Sequence, residues 1–192
     1  MSEPRIAPLP PDQWDDDVVE GIKALLPPDA TRPLRRRQGG SKGHNALGTL
    51  ARHPKLMRAY HTFNGHVLFT STLDPRQREM LILRVAAVRG AEYEWAQHVV
   101  LAEEAGLDAE EIARIADGPD APGWSIEDAA MVRAVDELVD DAMVGDATWA
   151  TLARTLDEHQ LMDLVFTVGA YDMLAMAFRS FGVQLDDDLR PG

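Results

Sequence analysis

The sequence contains no cysteine. That excludes thiolate catalysis, disulfide redox switching and cysteine-ligated metals. Positive charge is also scarce: 19 Lys and Arg stand against 32 Asp and Glu, a net charge of −13. No general surface for nucleic acid or for an anionic membrane is expected from such a balance. No uninterrupted apolar run reaches the roughly 18 residues of a membrane span. No N-terminal run reads as a secretory segment, so the expected location is the cytoplasm. Glycine-rich phosphate loops, a nucleophile elbow and the His-Glu-x-x-His zinc pattern are missing too. Alternating apolar and polar positions, the mark of a half-buried strand, are not found either.

What is present is helical periodicity over most of 192 residues. A chain of this length forms one domain by the usual size range and buries enough surface to need no staples. The expectation is therefore a single all-α domain, 1–192. Residues 1–45 would form an N-terminal helix and a basic loop, 46–120 a central motif region, and 121–192 the C-terminal helices. The spacing of Trp14, Val18, Ile22 and Leu25 predicts a helix over 12–26, with Asp15, Asp16 and Asp17 at its positive end. Residues 31–45 differ in kind, with Arg32, Arg35, Arg36, Arg37 and Lys42 and no acidic side chain. With Gly39, Gly40 and Gly43 this stretch reads as a basic loop: simply solvated, a flap over a site for an anionic substrate, or an arm onto an acidic neighbour subunit. Helices are then predicted over 45–52, 54–70, 75–89, 92–105, 109–116, 126–141, 146–156 and 159–181. Asp74 with Pro75, Asp108 and Ser125 supply N-caps, and Gly90 and Gly106 supply stops.

Two helices are too apolar for an exposed position: residues 80–88, and most of 161–178. Such helices belong in a core or at an oligomer interface. Charges within them carry information, because a buried ion is costly unless paired. Glu79 opens the first apolar run and Arg84 lies inside it, so each either forms an ion pair or lines a polar cavity. Glu94 and His98 stand four apart, on one helix face. A carboxylate beside an imidazole is the arrangement of a general acid or base, and also of an ordinary surface pair. Two such groups are too few for a zinc site, and no metal is expected. His44, His53, His61, His66 and His159 show no comparable partner.

Three strings carry a resemblance. They are Pro-Arg-Gln-Arg-Glu-Met-Leu-Ile-Leu-Arg-Val-Ala (75–86), Tyr-Glu-Trp-Ala-Gln-His (93–98) and Leu-Ala-x-x-Ala-Gly-Leu-x-x-Glu-Glu-Ile (101–112). Together they resemble the carboxymuconolactone decarboxylase family, which includes the alkyl hydroperoxidase D-like (AhpD-like) proteins. A weaker likeness, Tyr-x-Met-x-x-Met-x-x-x-x-x-Gly-Val-x-Leu (171–185), is similar to the last helix of longer, cysteine-free members. The resemblance implies an all-α helical bundle that assembles as a dimer, trimer or hexamer. In the peroxidase branch a Cys-x-x-Cys pair precedes the histidine. Here Ala91 and Glu94 stand at those two positions, while Glu79 and His98 match the family's glutamate and histidine. Thiol-dependent peroxide reduction by that relay is excluded without sulfur.

The decarboxylase branch carries Glu-x-x-x-His, as Glu94 and His98 do, and works without cofactor on a small carboxylated lactone. The expected function is therefore cofactor-free lyase or isomerase chemistry on a small, anionic lactone or enolisable substrate. His98 would move the proton, Glu94 would orient and tune it, and Glu79 would face the same cavity. Arg84, or one of Arg35, Arg36 and Arg37, would hold a substrate carboxylate. Tyr60, Tyr93 and Trp95 would wall the pocket. The alternative is a non-catalytic helical oligomer that uses a peroxidase-like scaffold for binding. A closed salt-bridge cluster of Glu79, Glu94 and His98 would favour that alternative.

Overall fold

The computed structural model describes residues 3–28 and 43–190, and among these it contains nine α-helices and no strand. The basic loop read over 31–45 lies almost wholly outside the described residues. The chain divides into two compact units, Met1–Ser71 with Ala177–Gly192, and Thr72–Met176.

In the first unit, α1 (Asp16–Lys23) is shorter than its periodicity suggests. Asp15 accepts a bond from the Val18 amide and so sets the start, and Pro11–Gln13 forms a separate 3₁₀ turn. Helices α2 (His44–Leu50) and α3 (Pro54–Gly65) follow, and His66–Thr70 widens into a π-helical turn where a continuous α-helix is predicted. Val18, Ala51 and Met57 are buried together, with Trp14, Ile22 and Leu47 against them. Close backbone approach explains two glycines. A Cβ on Gly48 would lie 2.5 Å from the Leu9 carbonyl oxygen, and one on Gly65 would lie 2.6 Å from that of Leu25.

The second unit is built around α4 (Pro75–Arg89). Asp74 caps it through a reciprocal box with Gln77, and Gly90 ends it in the left-handed conformation, φ 59°. A two-residue connection then turns the chain into α5 (Glu92–Glu104), so α4 and α5 form a helical hairpin. Helices α6 (Ala109–Asp117), α7 (Ile126–Asp141) and α8 (Asp146–Leu152) complete the wrapping, and α9 (Glu158–Phe181) closes it, its last turn from Ala177 belonging to the first unit. The all-round apolar character of α4 has its reason here: Met80, Leu81, Ile82, Leu83 and Val85 are completely buried. Each such side chain contributes roughly 1.5–3 kcal/mol relative to exposure.

Arg84 is one of the charges inside that run, and its ionic partner is not Glu79. Its Nε and Nη2 donate to the two carboxylate oxygens of Asp136 at 2.6 and 2.8 Å, and its Nη1 donates to the carbonyls of Ile115 and Ala116. The side chain thus ties α4 to α6 and α7. Arg76 does the same one end earlier, bonded to Asp128 and Glu111.

Helix α9 is longer than the uninterrupted-run criterion allows for. By length and composition alone it could cross a membrane, with a window of mean hydropathy 1.5, half of it buried. Asp163 and Asp172 break the apolar run but leave the mean within the range of a span. Both are engaged: Asp163 accepts from the amide and hydroxyl of Thr72, and Asp172 pairs with Arg89.

Candidate functional site

The α4–α5 hairpin brings Glu79 and His98 to the same level, about ten residues on either side of the turn at Gly90. Glu79 is completely buried. Its Oε1 accepts from Nε and Nη2 of Arg78, at 3.0 and 2.8 Å, and its Oε2 lies 2.7 Å from Nδ1 of His98. Burial pushes the Glu79 carboxyl up, but His98 and then Arg78 outweigh it and hold it below the ordinary carboxylate range. An ionised carboxylate only accepts, so Nδ1 of His98 must carry the hydrogen and donate. The edge of Tyr171, on α9, closes against the imidazole at 4.9 Å and 89°.

Glu94 lies one helical turn before His98 and is 2% exposed. Sequence reasoning gives it the task of orienting His98; the carboxylate bonded to Nδ1 of His98 is that of Glu79. Neither carboxyl oxygen of Glu94 has a hydrogen-bond partner among the described residues. Burial, and secondarily the negative charge of Asp172, push its pKa up to about 8. Glu94 is therefore a neutral carboxylic acid at pH 7, with an O–H to give. Asp172 is itself bound in a two-pronged pair with Arg89, whose Nη2 also reaches the Val139 carbonyl. Two glutamates one hairpin apart thus have opposite protonation states, one ionised by two partners and one neutral because it has none. Environments that push two acids apart are how proteins separate a proton donor from an anion.

The remaining site candidates fare differently. Arg84 has its donors committed to Asp136 and to the carbonyls of Ile115 and Ala116, and so clamps α4 to α6 and α7. Tyr93 is buried, and its phenolic oxygen accepts from Nε2 of Gln97 at 3.2 Å. Trp95 is half-buried and packs against the Ala86, Ala91 and Ala175 cluster and against the cluster that holds Met80 and Leu83. Tyr60 is on α3, in the first unit, with its ring 6.1 Å from that of His61. Arg35, Arg36 and Arg37 lie outside the described residues. His61 is buried with Nδ1 2.8 Å from the Gly21 carbonyl, a packing role.

Sequence reasoning missed Arg78, Tyr171, Asp172 and Arg89. Arg78 escapes a search for i, i+4 partners because it is the chain neighbour of Glu79. A signal for Asp172 was available: it is a charge inside an apolar helix, the same mark that singles out Glu79 and Arg84.

Among curated proteins nothing matches the sequence. Solved structures do match in fold. An AhpD-type antioxidant-defence protein of unknown function from Agrobacterium tumefaciens superposes with a TM-score of 0.65 at 18% identity, covering 71% of this chain and 94% of its own. An uncharacterized peroxidase-related protein from Ralstonia eutropha with an AhpD core gives 0.66 at 17%, covering 76% and 78%. The debrominase Bmp8, as a cysteine-to-alanine variant with 2,3,4-tribromopyrrole, gives 0.71 at 13%, covering 96% and 93%. Identities this low establish the AhpD-like fold and nothing finer. The motifs themselves match more directly, since residues 54–137 fit the pattern of one family across α3 to α7. Residues 54–137 thus match the carboxymuconolactone decarboxylase family, in a chain that contains no cysteine.

Proposed function

We propose that the protein is a cofactor-free acid–base enzyme acting on a small lactone or other enolisable molecule, as a homo-oligomer. The observation that carries this reading is the buried, unbonded carboxyl of Glu94 beside a histidine whose orientation is set by a different glutamate. A buried polar group without a partner costs about 1–3 kcal/mol, so its presence calls for a reason outside folding. Nε2 of His98 would take a proton from the carbon next to a carbonyl. Glu94 would give its proton to the resulting dienolate at another carbon, and solvent would restore both groups. For a carboxylated lactone, the C–CO2 bond would break instead. Its electron pair would enter the dienolate, which Glu94 would protonate as CO2 leaves. Arg78, Arg84 and Arg89 are all ion-paired.

The test uses α-angelica lactone and 4-carboxymuconolactone as probes, followed by proton NMR in D2O. Deuterium incorporation or CO2 release above the buffer rate is expected from the wild type. It should fall at least a hundredfold in His98→Gln and in Glu94→Gln, the range of general acid–base contributions. A wild type that leaves both probes at the buffer rate would overturn the proposal. It would favour the non-catalytic oligomeric scaffold.

A further inference from the structure

The face of α9 opposite Tyr171 points into solvent. Met162, Phe166, Met173 and Met176 are 59, 53, 46 and 55% exposed, and Gly169 lies on the same line. Spacings of four, three, four and three residues form an apolar seam of period 3.5, the repeat that keeps one helix against another. A lone protein rarely leaves such a continuous line to water.

The seam is also symmetric about its centre. Met162 and Met176 each stand seven residues from Gly169, and Phe166 and Met173 stand three and four residues from it. Charge follows the same symmetry, with Glu158 in the first turn of α9 and Arg179 in the last. Both occupy the same flank of the seam, three heptads apart. In an antiparallel pair these flanks face one another, so Glu158 of each helix meets Arg179 of the other. In a parallel pair each flank would face the opposite flank of its partner, and this pairing would be lost. A Cβ built on Gly169 meets nothing within 4 Å, so the backbones have room to approach at the crossing point. A surface that is its own complement under a two-fold rotation is what an isologous contact requires.

The geometry points to a second copy of this chain as the occupant, its α9 packed antiparallel on this α9 about a two-fold axis near Gly169. Because Tyr171 on the opposite face holds the His98 ring, the same helix would join the seam to the candidate site.

Sedimentation equilibrium of the full chain should give a dimer or a multiple of it. Phe166→Glu and Met173→Glu should each weaken association at least tenfold while helical circular dichroism is unchanged, since both side chains are exposed. The absence of native cysteine allows a direct test of direction. A mixture of Met162→Cys and Met176→Cys chains should cross-link under mild oxidation, whereas Met162→Cys alone should not. Self-cross-linking of Met162→Cys would refute the antiparallel arrangement. A wild-type monomer at 100 μM, or an assembly unaffected by both glutamate substitutions, would refute the seam. So would a monomer whose α9 binds phosphatidylcholine vesicles and loses that binding in Phe166→Glu.

Discussion

Replacing Glu94 with Gln should stabilise the protein at alkaline pH and leave it almost unchanged at acid pH. Gln is nearly isosteric with a protonated Glu, so below about pH 4.5, where Glu94 is neutral folded and unfolded, the two proteins should melt alike. Above that pH the unfolded chain releases the proton while the folded chain keeps it, because burial and Asp172 hold the folded pKa up at about 8. The folded state then binds more protons, and stability falls as pH rises at up to about 1.4 kcal/mol per pH unit. The slope ends once pH passes 8 and the folded carboxyl ionises as well. Integrated from 4.5 to about 8, this is about 5 kcal/mol at most, and relaxation around the new charge should bring it to about 2–4 kcal/mol. Urea titrations followed by tryptophan fluorescence at pH 4, 6, 8 and 9 give the difference between the two proteins at each pH. Other titrating groups cancel in that difference unless they touch Glu94. An advantage for Glu94→Gln that opens between pH 5 and 8 is the expected result. A difference that stays constant with pH would show that Glu94 ionises normally, and the assignment of a neutral acid would fail.

Glu79 has the opposite sign. Its folded pKa is depressed by His98 and Arg78, so its contribution is present above about pH 4.5 and lost on acidification. Glu79→Gln should destabilise by about 3–5 kcal/mol at pH 7, the cost of removing one member of a buried ion pair, and the gap to wild type should narrow below pH 4 in the same titrations. Arg84→Met should lower the melting temperature, by loss of the bonds to Asp136, Ile115 and Ala116, while any turnover measured below that temperature is unaltered. A loss of turnover with an intact melting curve would return Arg84 to the site. Gly48→Ala should cost about 1–3 kcal/mol in thermal unfolding, since the new Cβ would press on the Leu9 carbonyl at 2.5 Å. An unchanged melting temperature would mean that the Leu9 segment yields freely.

Much of the helical architecture was legible in the sequence because its signals are local. Asp74 with Pro75, Asp108, Ser125 and Gly90 each act within one turn of their own position, and the helices begin or end where they stand. The apolar run after Glu79 predicted a central helix for the same reason, since periodicity needs no partner to be visible. Boundaries failed where a local rule met competition. Residues 66–70 widened into a π-turn, and α1 started only at its Asp15 cap.

The site was legible in its residues but not in their roles. Glu79, Glu94 and His98 all stood out as chemistry-bearing positions, and spacing alone joined Glu94 to His98. The hairpin at Gly90 instead set Glu79 against His98 and left Glu94 unbonded, because two side chains on one helix can share a face without their polar atoms meeting. Arg84 is the converse case. Its burial was evident from the run around it, but its partner sits on α7, 52 residues away, where no helical spacing reaches. Most of the helices, the missing thiols and the short roster of ionisable groups placed among apolar ones were readable from the residues alone. Tertiary structure alone decided which carboxyl is charged and which is neutral, because a pKa is set by desolvation and by charges brought close through folding.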